Sequence, residues 1–534
     1  MTTQKTVTKA AGIMMVMIML SRALGMVRDM VISGVFGQGS NTDVYYAAFN
    51  LPDLLFYLIA GGVLSSAFVP VFVEYISKGK KEEAWHLFSI IASVMFLVIG
   101  AFIILGEIFT RQLVPLVAAP GFGPQALDRV AHLTRIVLPA QLFFFMGGLM
   151  MASLWAHQQF TAPGLGPSIY NIGIIIGGAI AGHILGPVAG IDGLAWGALT
   201  GAFLGNFVLQ YVVLRRYGLK FKPCLNVRHP DAVRVWKLMI PVIFSLSLPQ
   251  VDVWVNKWLA SYLSSGVVSA IDRSNRLMQV PIGIFGQSIA IGFYTTLAAQ
   301  FATNKMKEFR ETLNYGLRAI LFVSIPATVL MIVLCKPLIQ LLFQHGRFSA
   351  GATQLVSGAL IFYALGIAAW SMQALIARAF YSMQNTWIPV VTGTIVTFIF
   401  IPMNIGLMHI IGYKGLAIAT TIAASLHSLI MLVMLRRKAG GIGAKRILVS
   451  AGKVSLASAI MGAAMWIVMI RLPKYLPAGL PFKVHAGLGL LVPLAIGGGL
   501  FVACVHVLKL EESATVWNMI KNKFTRKRAT AANA

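Results

Sequence analysis

Acidic residues are scarce in this chain: 16 Asp and Glu stand against 43 Lys and Arg in 534 residues, for a net charge of +27. Charged residues of both signs together make up only 11%. A soluble chain of this length cannot be so poor in charge, because polar side chains must cover its core. Cysteine is nearly absent too. Cys224, Cys335 and Cys504 have neither metal nor redox spacing, which excludes a disulfide framework and a cysteine catalyst. The sequence also lacks a Walker A loop, a GxSxG elbow, an HExxH pair and paired carboxylates on an aqueous loop, so no enzyme class is indicated. Short loops leave no room for a soluble catalytic domain. The 10 histidines are dispersed, and His345 in Gln344-His-Gly-Arg-Phe348 reads as a turn residue.

What the chain has instead is apolar sequence, 58% of it, with a mean hydropathy of +0.80. A helix needs about 20 apolar residues to cross a bilayer. Fourteen segments qualify: 10–35, 44–77, 86–109, 131–156, 165–187, 193–214, 235–262, 265–300, 317–343, 353–380, 387–411, 415–435, 447–470 and 484–508. The second and eighth are long, with bends expected at Gly61-Gly62 and at Gly283, Gly286 and Gly292. The first runs too long and lacks the small-residue site of a cleaved signal peptide. Basic residues cluster after even-numbered spans, as in Arg215-Arg216, Arg436-Arg437-Lys438 and Lys521 to Arg528. That asymmetry places both termini in the cytoplasm and assigns the positive charge to anionic lipid headgroups rather than to nucleic acid.

The chain repeats itself at an offset near 226. Gln158 to Pro163 matches Gln384 to Pro389, Asn50-Leu-Pro aligns with Arg276-Leu-Met, and Gly193-Leu-Ala matches Gly415-Leu-Ala after a short gap. Six spans separate the matches, so the two halves share orientation, a parallel repeat. The expected fold is an all-α polytopic membrane protein with two pseudo-symmetric six-helix lobes around a central cavity. The lobes cover residues 1–220 and 221–440. Two extra helices at 441–510 are candidates for a lipid-tail groove, and 511–534 form a basic cytoplasmic tail.

Charge inside apolar spans is costly, about 2.5–3.5 kcal/mol per residue at the membrane centre on insertion scales, and marks polar cavities. Span 1 carries Arg22, Arg28 and Asp29; Arg22 and Asp29 share a face with Gly25 between them. Span 2 opens with Asp43 and Asn50, and span 8 carries Asp272, Arg273, Asn275 and Arg276. Two readings stand for these groups. They pair internally, Asp272 with Arg276 at i, i+4, or the arginines meet across the lobes and hold a multivalent anion. A pyrophosphate suits such forked donors.

Ser21-Arg-Ala-Leu-Gly-Met-Val-Arg-Asp29, Phe49-Asn-Leu-Pro-Asp-Leu-Leu55, Asn275-Arg-Leu-Met-Gln-Val-Pro281, Leu342-Phe-Gln-His-Gly-Arg-Phe348 and Phe380-Tyr-Ser-Met-Gln-Asn-Thr386 together resemble the MurJ/MviN family. Its members are lipid II flippases of the multidrug/oligosaccharidyl-lipid/polysaccharide exporter superfamily. The likeness runs from about residue 10 to 440. It implies an alternating-access flippase of the bacterial inner membrane that moves the undecaprenyl-pyrophosphate-linked peptidoglycan precursor to the outer leaflet. The implied partners are that lipid-linked glycan, membrane lipids and the cell-wall synthesis machinery. Carried over, Arg22, Arg28 and Arg276 match cavity arginines and Asp43 an acidic residue at the head of span 2.

Two departures stand out. Some members place a basic pair and a glutamate where this chain has Phe56, Tyr57 and Gly61. A family sodium site uses an aspartate where this chain has Asn256, leaving Asp252, Asn404 and Thr420 as candidate oxygens for a monovalent cation; no other cofactor is implied. The rival readings are a flippase for another polyprenyl-pyrophosphate glycan, a drug/cation antiporter, which would need cavity carboxylates, and a non-transporting division scaffold.

Overall fold

The computed structural model describes residues 2–56, 63–477 and 479–513, with side chains at 2–13, 15, 63–66, 187 and 240–249 outside that description. The described residues form helices and no strand, since a chain in lipid must satisfy its backbone groups within each segment. The first four expected spans correspond to α1 (Thr2–Phe36), the series α2 (Ser40–Ala48), α3 (Asn50–Leu55) and α4 (Val63–Ser77), α5 (Lys81–Leu113), and α6 (Pro124–Val137) with α7 (Ala140–Ala156). Then come α8 (Thr161–Ile184), the short α9 (Gly186–Ala189), α10 (Ile191–Ala202) with α11 (Leu209–Arg215), and α12 (Pro230–Ala260). Span eight is α13 (Val267–Pro281) with α14 (Ser288–Ala302). It is followed by α15 (Met306–Val333), α16 (Cys335–Leu342), and α17 (Ala350–Ala364) with α18 (Ile367–Ser382). The last four spans are α19 (Trp387–Ile411), α20 (Tyr413–Ala439), α21 (Ala444–Arg471) and α22 (Phe482–Val507).

Among the described residues ten helices are long and apolar enough to cross a membrane, and α17 with α18, bent by 44°, makes an eleventh. The three remaining expected spans coincide with α1, with α2–α4 and with α12. Span two differs from expectation in its described break, which falls at Phe49 between α2 and α3. The bend expected at Gly61-Gly62, like Tyr57 and the basic tail from 514 on, lies outside the described residues. In span eight the distortion falls at two of the three expected glycines, while Gly292 lies within regular α14. After Pro281 the helix widens into a π-turn over Ile282–Gln287, which contains Gly283 and Gly286. A Cβ on Gly286 would lie 2.7 Å from Ser371 Oγ of α18, so glycine is what allows this close approach.

The internal repeat is visible in the backbone. Gln158 and Gln384 are both left-handed, at φ 58° and 55°, and their N–H groups donate to Trp155 O and Tyr381 O at 2.9 and 3.0 Å. Non-glycine residues rarely adopt that conformation, so its recurrence 226 positions on marks one turn used twice. Lys80 and Lys305 likewise precede α5 and α15 with matching dihedrals, −85°/59° and −84°/60°.

Packing divides the chain into two compact units, residues 1–272 with 343–352, and residues 273–342 with 353–534. The boundary expected near residue 220 thus falls later, inside α13. The reason is α12, which packs on α4 and α5 and is stitched to the end of the α5 span by Trp254 and Trp258 indole N–H groups donating to Val117 O and Leu116 O. The first unit is centred on Phe68, Phe72, Trp85, Phe88 and Phe145. It also holds the turn expected around His345: Arg347 N–H donates to Gly34 O at 2.9 Å. The second unit is centred on Phe309, Leu313, Leu375 and Phe380. There α21 packs along α15, and α22 on α21 and α16.

Candidate functional site

Helix α1 ends in an αL cap, with Gly37 at φ +74° and its N–H donating to Ser33 O. Three turns earlier, Arg28 is held on both sides. Its Nε and Nη2 donate to Asp29 Oδ1 at 3.0 and 2.8 Å, and its Nη1 to Asn171 Oδ1 of α8 at 3.0 Å. Asn171 cannot turn away, because its Nδ2 donates to Pro167 O at 3.0 Å and to Ser21 O at 3.3 Å. Gly25, which faces Asn171 at 3.9 Å from its would-be Cβ, lets α8 lie this close. The side chains of Arg28 and Asp29 are 13% and 9% exposed, whereas Arg22, higher in the same helix, is exposed. Arg28 is therefore a pre-oriented guanidinium, and Arg22 is open to its surroundings.

A second polar group joins α2, α12 and the start of α13. Asp43 is buried, and its carboxylate accepts from the N–H groups of Gly266 and Ser269 and from the Ser269 hydroxyl at 2.6 Å. It caps α13 from another helix, which satisfies donors that the first turn leaves open. Asp43 and Ser269 are 226 residues apart, the repeat offset, so two equivalent helix starts meet here. Gln38 Nε2 adds bonds to Gly266 O and Ser269 Oγ. One turn on, Asp272 pairs with Lys257 of α12 at 2.9 Å, both side chains at least nine-tenths buried. The i, i+4 reading gave Asp272 a partner on its own helix; the structure supplies this one from α12.

The other predicted residues lie on several elements of the two units. Asn50 Nδ2 donates to Ala118 O at 2.7 Å, a buried bond that ties α3 to the end of the α5 span. Arg273 is 1% exposed, the largest fully buried side chain among the described residues, while Asn275 is half-buried and Arg276 exposed. Arg22, Arg28 and Asp43 belong to the first unit and Arg273, Asn275 and Arg276 to the second. The candidate cation ligands divide the same way. Asp252 and Asn256 are on α12, and Asp252 Oδ1 is buried without a hydrogen-bond partner. Asn404 and Thr420 are buried on α19 and α20, with the Thr420 hydroxyl donating to Leu416 O. Among the described residues no three His, Cys, Asp or Glu side chains gather as a metal site.

Three polar residues escaped the reading of the sequence: Asn171, Lys257 and Arg378 of α18. Each is a polar residue in an apolar span, which is a signal in itself. It was outweighed by the denser charge of spans 1 and 8.

A family model described as "Lipid II flippase MurJ" matches residues 32–485. The chain belongs to that family. Among its relatives, a probable lipid II flippase MurJ of Buchnera aphidicola is 29% identical over 425 residues, covering 79% of this chain and 82% of the relative. A probable lipid II flippase MurJ of Haemophilus influenzae is 28% identical over 511 residues, 92% of this chain and 99% of the relative. The solved "Lipid II flippase MurJ, inward closed conformation" superposes with a TM-score of 0.77 at 25% identity, covering 92% of this chain and 98% of that one. A multidrug MATE transporter of the MOP superfamily, inward-facing, reaches a TM-score of 0.62 at 15% identity and shares the fold. The chain is accordingly a multi-pass membrane transporter and no enzyme.

Proposed function

We propose that this MurJ-family protein translocates lipid II from the cytoplasmic to the outer leaflet of the bacterial inner membrane by alternating access. The observation that carries the reading is Arg28, an intramembrane guanidinium locked between Asp29 and Asn171 in a chain that matches this family over most of its length. An arginine at that depth is retained where it meets an anion or a polar cavity, and its planar fork fits the two phosphates of a pyrophosphate. Arg22 in the first unit and Arg276 in the second are both exposed, and the family resemblance assigns each of them to the substrate. Asp43 caps the start of α13, the helix that carries Arg276, and Asn50, Arg273 and Asn275 are assigned to the substrate headgroup from the sequence alone.

Further parts of the reading rest on sequence. The basic clusters put both termini in the cytoplasm. Helices α21 and α22, outside the repeat, guide the polyprenyl tail. The cell-wall synthesis machinery consumes the product on the outer face. A monovalent cation, if coupled, would use Asp252, Asn256, Asn404 and Thr420. The test is whether this chain keeps bacterial cells growing after their own lipid II flippase is depleted. Growth is expected; lysis at normal expression would refute the reading, and rescue of only an O-antigen or capsule flippase mutant would reassign the glycan.

A further inference from the structure

Arg378 lies in an apolar span of the second unit with no carboxylate to meet it. From Arg273 to Ala439 the sequence contains two acids, Glu308 and Glu311, both in the first two turns of α15, and Glu308 pairs with Lys305. Arg378 is fixed by neutral acceptors instead: Nη1 donates to Ala374 O and Nη2 to Gln287 Oε1, each at 3.0 Å. Gln287 closes the π-turn of span eight, so the guanidinium reaches from α18 to the one distorted stretch of the neighbouring span. Two of its five N–H donors are used, and three have no protein partner among the described residues. Tyr381 follows three residues on along α18, and Tyr294 is on α14, which packs against α18; they are 39% and 37% exposed. Gln287 and Ser288 are exposed beside them.

A membrane-span face built from a guanidinium, an amide, a hydroxyl and two phenols is not made for hydrocarbon. Unpaired charge at such a face marks a polar cavity, and donors without acceptors call for a ligand rich in oxygen lone pairs. We infer that Arg378, Tyr294 and Tyr381 form a further anion-binding subsite for the substrate headgroup, with Gln287 as the residue that positions the guanidinium. The ligand is an oxyanion, either a phosphate of the pyrophosphate or a carboxylate of the stem peptide. This rests on the flippase reading above. The competing role for Arg378 is a strap that holds the π-turn against α18.

The full-length protein in proteoliposomes separates these roles. Initial flipping rates are measured against lipid II concentration for the wild type, Arg378→Ala, Arg378→Lys and Gln287→Leu, with thermal unfolding in parallel. Arg378→Gln serves if the alanine variant does not fold. Loss of a charge-assisted contact is expected to raise KM roughly ten-fold or more with an unchanged melting temperature. Lysine should restore part of the loss, and Gln287→Leu should raise KM by less. Lipid II with amidated peptide carboxylates and bare undecaprenyl pyrophosphate identify the source of the oxyanion. If the Arg378→Ala penalty vanishes with the amidated substrate, the ligand is a carboxylate; if it persists with the bare pyrophosphate, the ligand is phosphate. An unchanged KM for every substrate, with or without a lower melting temperature, would overturn the subsite and leave the strap. If the wild type moves no lipid II, the flippase reading fails and the subsite falls with it.

Discussion

In the first unit Asp29 sits against Arg28, Asp272 against Lys257, and Asp43 against the open N–H groups of α13. In the second unit Arg378 is met by a backbone carbonyl and a side-chain amide. The two sites use the same kinds of residue, yet at Arg28, Asp272 and Asp43 the charge is met within the protein, and at Arg378 no carboxylate meets it. A buried ion pair stabilises little over an apolar pair of the same shape, because desolvation consumes most of the attraction, but breaking one is severe. The first unit's pairs therefore act as fasteners that set helix positions. An arginine with neutral partners keeps its net charge for a ligand.

The sharpest break of that comparison is at the fastener. Lys257→Met removes the cation from a buried ion pair and should cost up to about 3–5 kcal/mol, while Lys257→Met with Asp272→Leu should recover most of it. Thermal unfolding in detergent reads both. A double variant as unstable as the single one would show that packing, not charge, holds α12 to α13.

Next comes the gripping set. Arg276 is exposed, so Arg276→Ala should abolish flipping in a normally folded protein. Arg28→Ala should abolish flipping and also destabilise, because it leaves Asp29 buried without its cation. Adding Asp29→Asn should restore stability but not transport. Normal transport by either arginine variant would make these residues structural.

Energetics give a smaller, conditional effect. An empty carrier with net positive charge responds to the membrane potential by about 2.3 kcal/mol per charge per 100 mV. With asparagine at position 256, flipping should stop when an ionophore collapses the potential and persist when sodium is replaced by another monovalent cation. Loss on sodium removal at constant potential would point to Asp252, Asn404 and Thr420 instead.

The smallest effect lies beyond α22. Arg318 donates a hydrogen bond to Glu511 and holds its carboxyl below the ordinary 4.5. A lowered folded value means this contact contributes fully above the ordinary carboxylate range and is lost as pH falls through the lowered one. Hydrogen exchange across 508–513 should therefore speed up on acidification below about pH 4, and Glu511→Gln should remove the contact's share of that dependence. A rise that Glu511→Gln leaves unaltered would assign it to the buried Glu512, which Arg318 and Ser450 also hold.

The helical class, the many membrane spans, the repeat and the arginines of span 1 were legible from hydropathy, charge and spacing, because lipid imposes those patterns on the sequence directly. The partners of the charges were not. Arg276 was visible as an i, i+4 neighbour of Asp272 on one helix face, but Lys257, which also pairs with Asp272, arrives from α12 through a turn whose path no local rule describes. Asp43 read as a ligand for substrate, and nothing in the sequence showed that its carboxylate also meets the start of α13, 226 residues on. Asn171 and Arg378 were visible as polar residues, but nothing nearby in sequence said what they face.

By itself the sequence determined which segments enter the membrane, that they are helices, that the two halves are equivalent, and that cations far outnumber acids within and between them. These follow from transfer free energy and periodicity, which act residue by residue. Only the tertiary structure decided which cation meets which acid, that α12 packs with the first unit and moves the boundary into α13, and that Arg378 is left with neutral partners. Those outcomes depend on distances of a few ångströms between helices far apart in the chain, where Coulomb and hydrogen-bond energies are set by contact geometry and not by composition.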